Sequence, residues 1–107
     1  MYKEYRIIVD KTVFDSVSIT GRPRTPGFRY VVTAESDSGH HKLSEVDNKA
    51  QYEALDEALA TLLTILAVRN EQAIVKVERY TSPLSEGAKQ ALANKYATES
   101  QFASLTI

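Results

Sequence analysis

A chain of 107 residues, 43% hydrophobic and 25% charged, has the size and composition of one soluble globular domain with a single core. Its formal net charge of -1 excludes an acidic mimic and a uniformly basic nucleic-acid coat, so any attraction to phosphate must be local. The absence of cysteine excludes a disulfide framework, a thiolate nucleophile and a thiolate metal site, and points to a reducing cytoplasm.

The first residues, Met1 to Arg6, are charged and alternating, which fits neither a signal peptide nor a membrane span. Ile7, Ile8 and Val9 then run apolar, the pattern of a strand buried on both faces near the middle of a sheet. Val13, Phe14, Val17 and Ile19 continue the β-rich composition, either as an extension of that strand or as a second one. Thr20 to Gly27 holds two prolines and two glycines in eight residues and reads as a loop carrying Arg22 and Arg24 and no acid.

Phe28 to Glu35 alternates and is rich in aromatic and β-branched residues, Ser36 to Gly39 turns the chain, and His40 to Val46 returns, which predicts a β-hairpin. From Asn48 to Asn70 an apolar stripe at helical spacing predicts the central helix, with Asp47 or Asn48 as its cap and Asn70 as its stop. Its later part, Leu62 to Val68, is apolar almost all round. Packing of a second helix and the tail over the far side is the simplest cover for it, and a dimer or partner interface is the second.

Ala73 to Tyr80 predicts another strand, parallel to the first because a helix of this length precedes it. Ser82 as cap and Pro83 at the first helical position predict a second helix to about Tyr96, with Leu84, Ala88, Ala91 and Leu92 on its apolar face. The tail, residues 98–107, is either a short edge strand, with Ala103, Leu105 and Ile107 alternating, or a frayed end. No repeat or linker divides the chain, so residues 1–107 are expected to form one domain.

This order, β-β-β-α-β-α with a possible final strand, resembles the ribonuclease H-like fold, an α+β class with a mixed sheet. Asn48-Lys49-Ala50-Gln51-Tyr52-Glu53-Ala54-Leu55 is similar to the opening of that family's central helix, with Gln51 where a glutamate belongs. Pro26-Gly27 before an aromatic-rich strand is similar to the family's glycine- and proline-rich turn. The resemblance implies carboxylates from the first strand, the central helix and the fourth strand holding two divalent metals across a scissile phosphate. At about 100° per residue Gln51 lies within roughly 40° of Leu55, Ala58 and Leu62, on the sheet-facing side, while Glu53, Asp56 and Glu57 fall off the stripe.

The place is right and the side chain is neutral. A neutral amide lacks the charge that magnesium favours in its ligands. Asp10 or Asp15 matches the first-strand acid; Glu78 matches the fourth-strand acid, or Thr81 does if Ser82 aligns with the family's following serine. The acidic site thus reads as degenerate. For Asp10 with Glu78 the plainer reading, two strand-end acids meeting water, is adopted over a metal half-site. Gln51 is either the relic of a catalytic position or a helix-opening amide bonded to nearby backbone.

Arg22, Arg24 and Arg29, with Lys11 close by, would form a phosphate-contacting patch beside Phe28 and Tyr30, where arginine binds backbone and a ring stacks on a base; the plainer reading is a solvated loop. His40 and His41 are strand neighbours facing opposite sides and cannot chelate together. No nucleophile and base pair, phosphate-binding glycine loop or zinc spacing is present in the sequence.

The function expected is a non-catalytic binding or regulatory module for a protein, a nucleic acid, or both, with no metal or other cofactor. The first alternative is a magnesium- or manganese-dependent nuclease with a rearranged carboxylate site. The second is a homodimeric interaction protein using the apolar end of the central helix.

Overall fold

The computed structural model describes residues 2–14 and 26–107. Asp15, Val17, Ile19, Arg22 and Arg24 lie outside the described residues, and with them most of the expected loop from Thr20 to Gly27. Five strands and two helices follow in the order β1 (Lys3–Phe14), β2 (Gly27–Ser36), β3 (Gly39–Asp47), α1 (Gln51–Arg69), β4 (Ala73–Arg79), α2 (Glu86–Tyr96) and β5 (Phe102–Thr106). The sheet order is β3-β2-β1-β4-β5. β1 pairs antiparallel with β2 and β2 with β3, while β4 is parallel to both β1 and β5. This mixed α+β sheet has the layout expected of a ribonuclease H-like chain, and the tail supplies its edge strand.

β1 lies third of five, which explains its apolar run. Tyr5, Ile7 and Val9 point to the face that α1 covers, and Ile7 and Val9 are almost wholly buried; Ile8, on the opposite face, is still only 8% exposed. Val13 and Phe14 extend this same strand. β2 and β3 close with a two-residue turn, where Gly39 takes φ +117 and Ser36 pairs with it across the hairpin.

α1 lays Ala54, Leu55, Ala58, Leu59, Leu62 and Leu66 on the sheet, against Ile7, Val9, Val32, Val75 and their neighbours. Burial of each such leucine contributes about 1.5–3 kcal/mol, so this stripe holds the two layers together. The helix begins later than the sequence predicts, and neither Asp47 nor Asn48 caps it. Asn48 takes φ 56 and seals the start of β2, its Oδ1 accepting from the Phe28 amide at 3.0 Å while its own amide donates to the Phe28 carbonyl at 2.8 Å. Asp47 is held by Arg29. Ala50, extended and without a side-chain cap, takes the cap position instead. The stop is as predicted: Asn70 is left-handed at φ 54, and the Glu71 amide donates back to the Leu66 carbonyl at 2.9 Å.

α2 also begins later, at Glu86, because Ser85 and not Ser82 caps it, its Oγ accepting from the Ala88 amide at 3.2 Å. Ser82 has other partners, described below. Leu92 and Tyr96 are its buried residues, Leu84 and Ala88 are half-buried, and Ala91 is exposed. In the tail Phe102 enters the core, edge-on to the Tyr96 ring at 5.8 Å, while Ala103 is exposed and Leu105 and Ile107 are half-buried.

The helices are tied in the N-terminal third of α1 and at the end of α2. Lys95 donates to both Asp56 oxygens at 2.9 and 2.8 Å, and the Tyr96 hydroxyl donates to Asp56 Oδ1 at 2.7 Å. The apolar end of α1 is only partly covered: Leu63 and Ile65 are half-buried, and Val68 is 82% exposed. No helix of the described residues is long and apolar enough to cross a membrane.

Candidate functional site

β1, β3 and β4 run in one direction, so their C-terminal ends meet at the end of the sheet where α1 starts. The neutral residue of the α1 opening sits there. Gln51 is 6% exposed, and a buried amide must find partners on both its oxygen and its nitrogen. Its Oε1 accepts from the Thr81 amide at 2.8 Å, and its Nε2 donates to the Ser82 carbonyl at 3.0 Å and lies 3.3 Å from Ser82 Oγ. Thr81 in turn donates its hydroxyl to the Val9 carbonyl at 2.8 Å. One seam of uncharged groups therefore joins β1, the segment after β4, and the first turn of α1.

Asp10 follows Val9 and, by strand alternation, points to the other face of the sheet. Its Oδ1 accepts from Arg79 Nη2 at 2.7 Å, with both side chains more than half exposed. Such an exposed pair contributes at most about 1 kcal/mol, so it places the carboxylate without burying it. Glu78 lies at the register shift between β1 and β4, where Ile7 pairs with Val77 and Ile8 with Arg79. It is exposed and borders a shallow depression of about 210 Å³ with Glu4, Arg6, Lys76 and Thr106.

Asp10 and Glu78 thus lie on the face away from α1, while Gln51 lies beneath α1. Among the described residues no three of His, Cys, Asp and Glu gather where they could hold a metal ion. The groups at the seam are an amide, two hydroxyls and carbonyls, a donor set without the negative charge a hard divalent cation favours.

The basic and aromatic candidates divide between the two faces. Lys11 stands on the α1 side beyond Val9, its Nζ 4.7 Å from the Phe28 ring centroid and 5.8 Å from that of Tyr30. The two rings meet edge to face at 5.6 Å. Lys11 is exposed, so the ammonium on this aromatic pair is open to solvent.

Arg29, between the two aromatics in sequence, points the opposite way. Its Nε and Nη2 donate to the two Asp47 oxygens at 2.6 and 3.1 Å, and its Nη1 is 3.0 Å from Glu45 Oε1. The hydrogen bond to Asp47 raises the Arg29 pKa further and holds the Asp47 carboxyl below its ordinary value. Glu45 is lowered too, first by the hydrogen bond from Lys42 and then by the charges of Lys42 and Arg29. The Arg29 charge is therefore already answered within the hairpin.

The histidines are separated as strand neighbours must be. His40 stands on the outer face with Nδ1 3.4 Å from Glu35, and His41 borders a narrow apolar slot between the sheet and α1, beside Tyr5, Leu43 and Ile65. The sequence reading did not find the Arg79 partner of Asp10 or the contact of Asp56 with Lys95 and Tyr96. Both join residues far apart in the chain, 69 and about 40 positions, and neither has a local spacing that signals it.

No family model matches this chain, and no curated protein does. Among solved structures it is similar to the native protease-reverse transcriptase of prototype foamy virus, over 91% of this chain at 10% identity and a TM-score of 0.40. The chain spans 14% of the length of that protein.

Proposed function

We propose that this chain is a ribonuclease H-like module that binds nucleic acid without cutting it, through the end of the sheet where β1 finishes and α1 begins. The observation that carries this reading is Lys11 lying exposed on the paired rings of Phe28 and Tyr30. An ammonium held on an edge-to-face aromatic pair contacts a backbone phosphate, while Phe28, the half-buried ring of the two, offers its open part to a base and the buried Tyr30 ring backs it. Arg22 and Arg24 lie outside the described residues, and the expectation that they contact phosphate is part of this proposal.

The neutral seam of Gln51, Thr81 and Ser82 supports binding over cleavage. Both ends of the Gln51 amide are engaged by Thr81 and Ser82, the Thr81 hydroxyl is engaged by the Val9 carbonyl, and Asp10 is turned away to Arg79. The mechanism is charge and shape complementarity, with no bond made or broken.

The test is fluorescence anisotropy of labelled RNA-DNA hybrid, duplex and single strands, in low salt with magnesium, followed over time. A stable signal that falls as salt is added is the expected result. A signal that rises and then decays, and does not decay with Asp10→Asn, would establish a nuclease instead. No binding at low salt would overturn the nucleic-acid reading.

A further inference from the structure

β1 and β2 run on together past the rest of the sheet. β4 accompanies β1 only as far as Ile8, opposite Arg79, and β3 ends at Asp47, opposite Arg29, while β1 and β2 stay paired to Phe14 opposite Gly27. The two faces of this ribbon differ. On the outer face the Arg29 guanidinium lies 5.4 Å from the Phe14 ring centroid and is held by Asp47 and Glu45. Gly27 leaves room for that ring, since a side chain there would collide with it. The outer face is thus closed by its own residues.

The inner face is open. Lys11, Val13 and Phe28 share it, because alternate residues of a strand point the same way and Val13 is paired directly with Phe28. Val13 is 68% exposed and Phe28 is half-buried, so α1 does not cover this end. On the other side of β2, Asn48 holds the Phe28 backbone through its side chain and its amide, and the next residue is the exposed Lys49. Neighbouring strands lie about 4.7–4.9 Å apart, so β1 and the end of β3 stand roughly 10 Å apart with β2 and Phe28 between them. The order across the ribbon is cation, apolar surface, cation.

On the nucleic-acid reading above, on which this rests, we propose that the inner face takes a single strand with an unstacked base, in preference to a duplex or an RNA-DNA hybrid. A duplex keeps the faces of its bases inside the stack and shows a protein phosphates, sugars and base edges, so Val13 and Phe28 gain no partner from it. An unstacked base has a free face to lay on the open part of the Phe28 ring with Val13 beside it, and the phosphates on either side of that base meet Lys11 and Lys49. Affinity for a duplex grows with the number of phosphates neutralised, and the neighbouring cation, Arg29, is already answered by Asp47 and Glu45.

The experiment is anisotropy of labelled DNA and RNA oligomers that do not pair with themselves, each alone and annealed to a complementary DNA strand, titrated with the full chain at low and rising salt. Each single strand is expected to bind about tenfold or more tighter than its annealed form. Phe28→Leu, which keeps an apolar side chain at a half-buried position, should weaken single-strand binding about tenfold, as loss of one stacked base does. Lys49→Ala, at an exposed position, should lower the slope of log affinity against log salt by about 0.7–1. A duplex or hybrid bound as tightly as the single strand overturns the proposal and leaves the nucleic-acid reading standing, and so does single-strand binding indifferent to both substitutions. Binding of none of the probes overturns both.

Discussion

Thr81 donates its amide to Gln51 Oε1 across 2.8 Å, bridging the segment that follows β4 and the first turn of α1. The same side chain donates from Nε2 to the Ser82 carbonyl, so both polar ends of Gln51 are used by two consecutive residues. A carboxylate in its place could accept from Thr81 but would set its second oxygen against the Ser82 carbonyl. In this chain the local backbone suits a glutamine.

Gln51→Glu is therefore expected to destabilise the fold by about 1–3 kcal/mol at neutral pH, the cost of leaving a buried acceptor unpaired beside a new charge. Burial and the facing carbonyl would raise the pKa of the introduced acid above its unfolded value. Stability lost at neutral pH is then regained as pH falls and the acid protonates, because the protonated form can donate to Ser82. Chemical denaturation of both proteins across the acidic range checks this: the gap should narrow toward low pH. A gap that stayed constant would show that the amide nitrogen contributes nothing.

Lys11 and Arg29 should respond differently in binding assays. Lys11→Ala is expected to weaken nucleic-acid binding and lower the slope of log affinity against log salt by about 1, as removal of one phosphate contact requires. Arg29→Ala should change binding less, because its guanidinium is already held by Asp47 and Glu45 on the opposite face. The structural effect of Arg29→Ala appears elsewhere: the Asp47 midpoint, read by NMR titration, should rise toward the ordinary value of 3.8. A larger loss for Arg29→Ala than for Lys11→Ala would place the binding surface on the hairpin's outer face instead.

The tie between the helices gives a dependence on acid pH. Burial pushes the Asp56 carboxyl up, but hydrogen bonds from Lys95 and Tyr96 together outweigh it and hold the folded pKa below 3.8. A carboxyl whose pKa is lowered by folding adds stability above its unfolded pKa, and that stability is lost as pH falls through the folded value. Tyr96→Phe removes the one hydroxyl proton that Tyr96 directs at Asp56, nearest to Oδ1 at 2.7 Å with the Asp56 carbonyl at 3.0 Å, and should cost about 1–2 kcal/mol at neutral pH. Its stability should also decline less steeply in acid than that of the wild type. Lys95→Ala, at an exposed position, should cost less than Tyr96→Phe.

The fold was legible in the sequence where periodicity and turn chemistry are local. Ile7 to Val9 announced a central strand, the stripe from Leu55 to Leu66 a helix on a sheet, and Asn70 its left-handed end. Helix starts were less legible because several cap-type residues compete there. Asp47, Asn48 and Ser82 all have capping chemistry, and each is drawn to a distant partner that the linear sequence does not reveal: Arg29, Phe28 and Gln51. The candidate patch was half legible for a related reason. Alternation places Arg29 opposite Phe28 and Tyr30 once the strand is known, but its acidic partners come from β3 through pairing register.

The apolar end of α1 permits a last test, since composition alone gives Leu66 and Val68 similar weight while helical spacing sets them on opposite faces. In the structure Leu66 is fully buried and Val68 is 82% exposed. Leu66→Ala should cost about 2–5 kcal/mol through lost burial and the cavity left behind. Val68→Lys should change stability by no more than about 0.5 kcal/mol, because it removes little packing and the long side chain keeps its charge in water. Thermal denaturation of the two variants at several protein concentrations separates the cases. If Val68→Lys destabilised the protein strongly and the loss grew with concentration, this end of α1 would be covered by another chain; a small and constant effect leaves it as a solvated helix end.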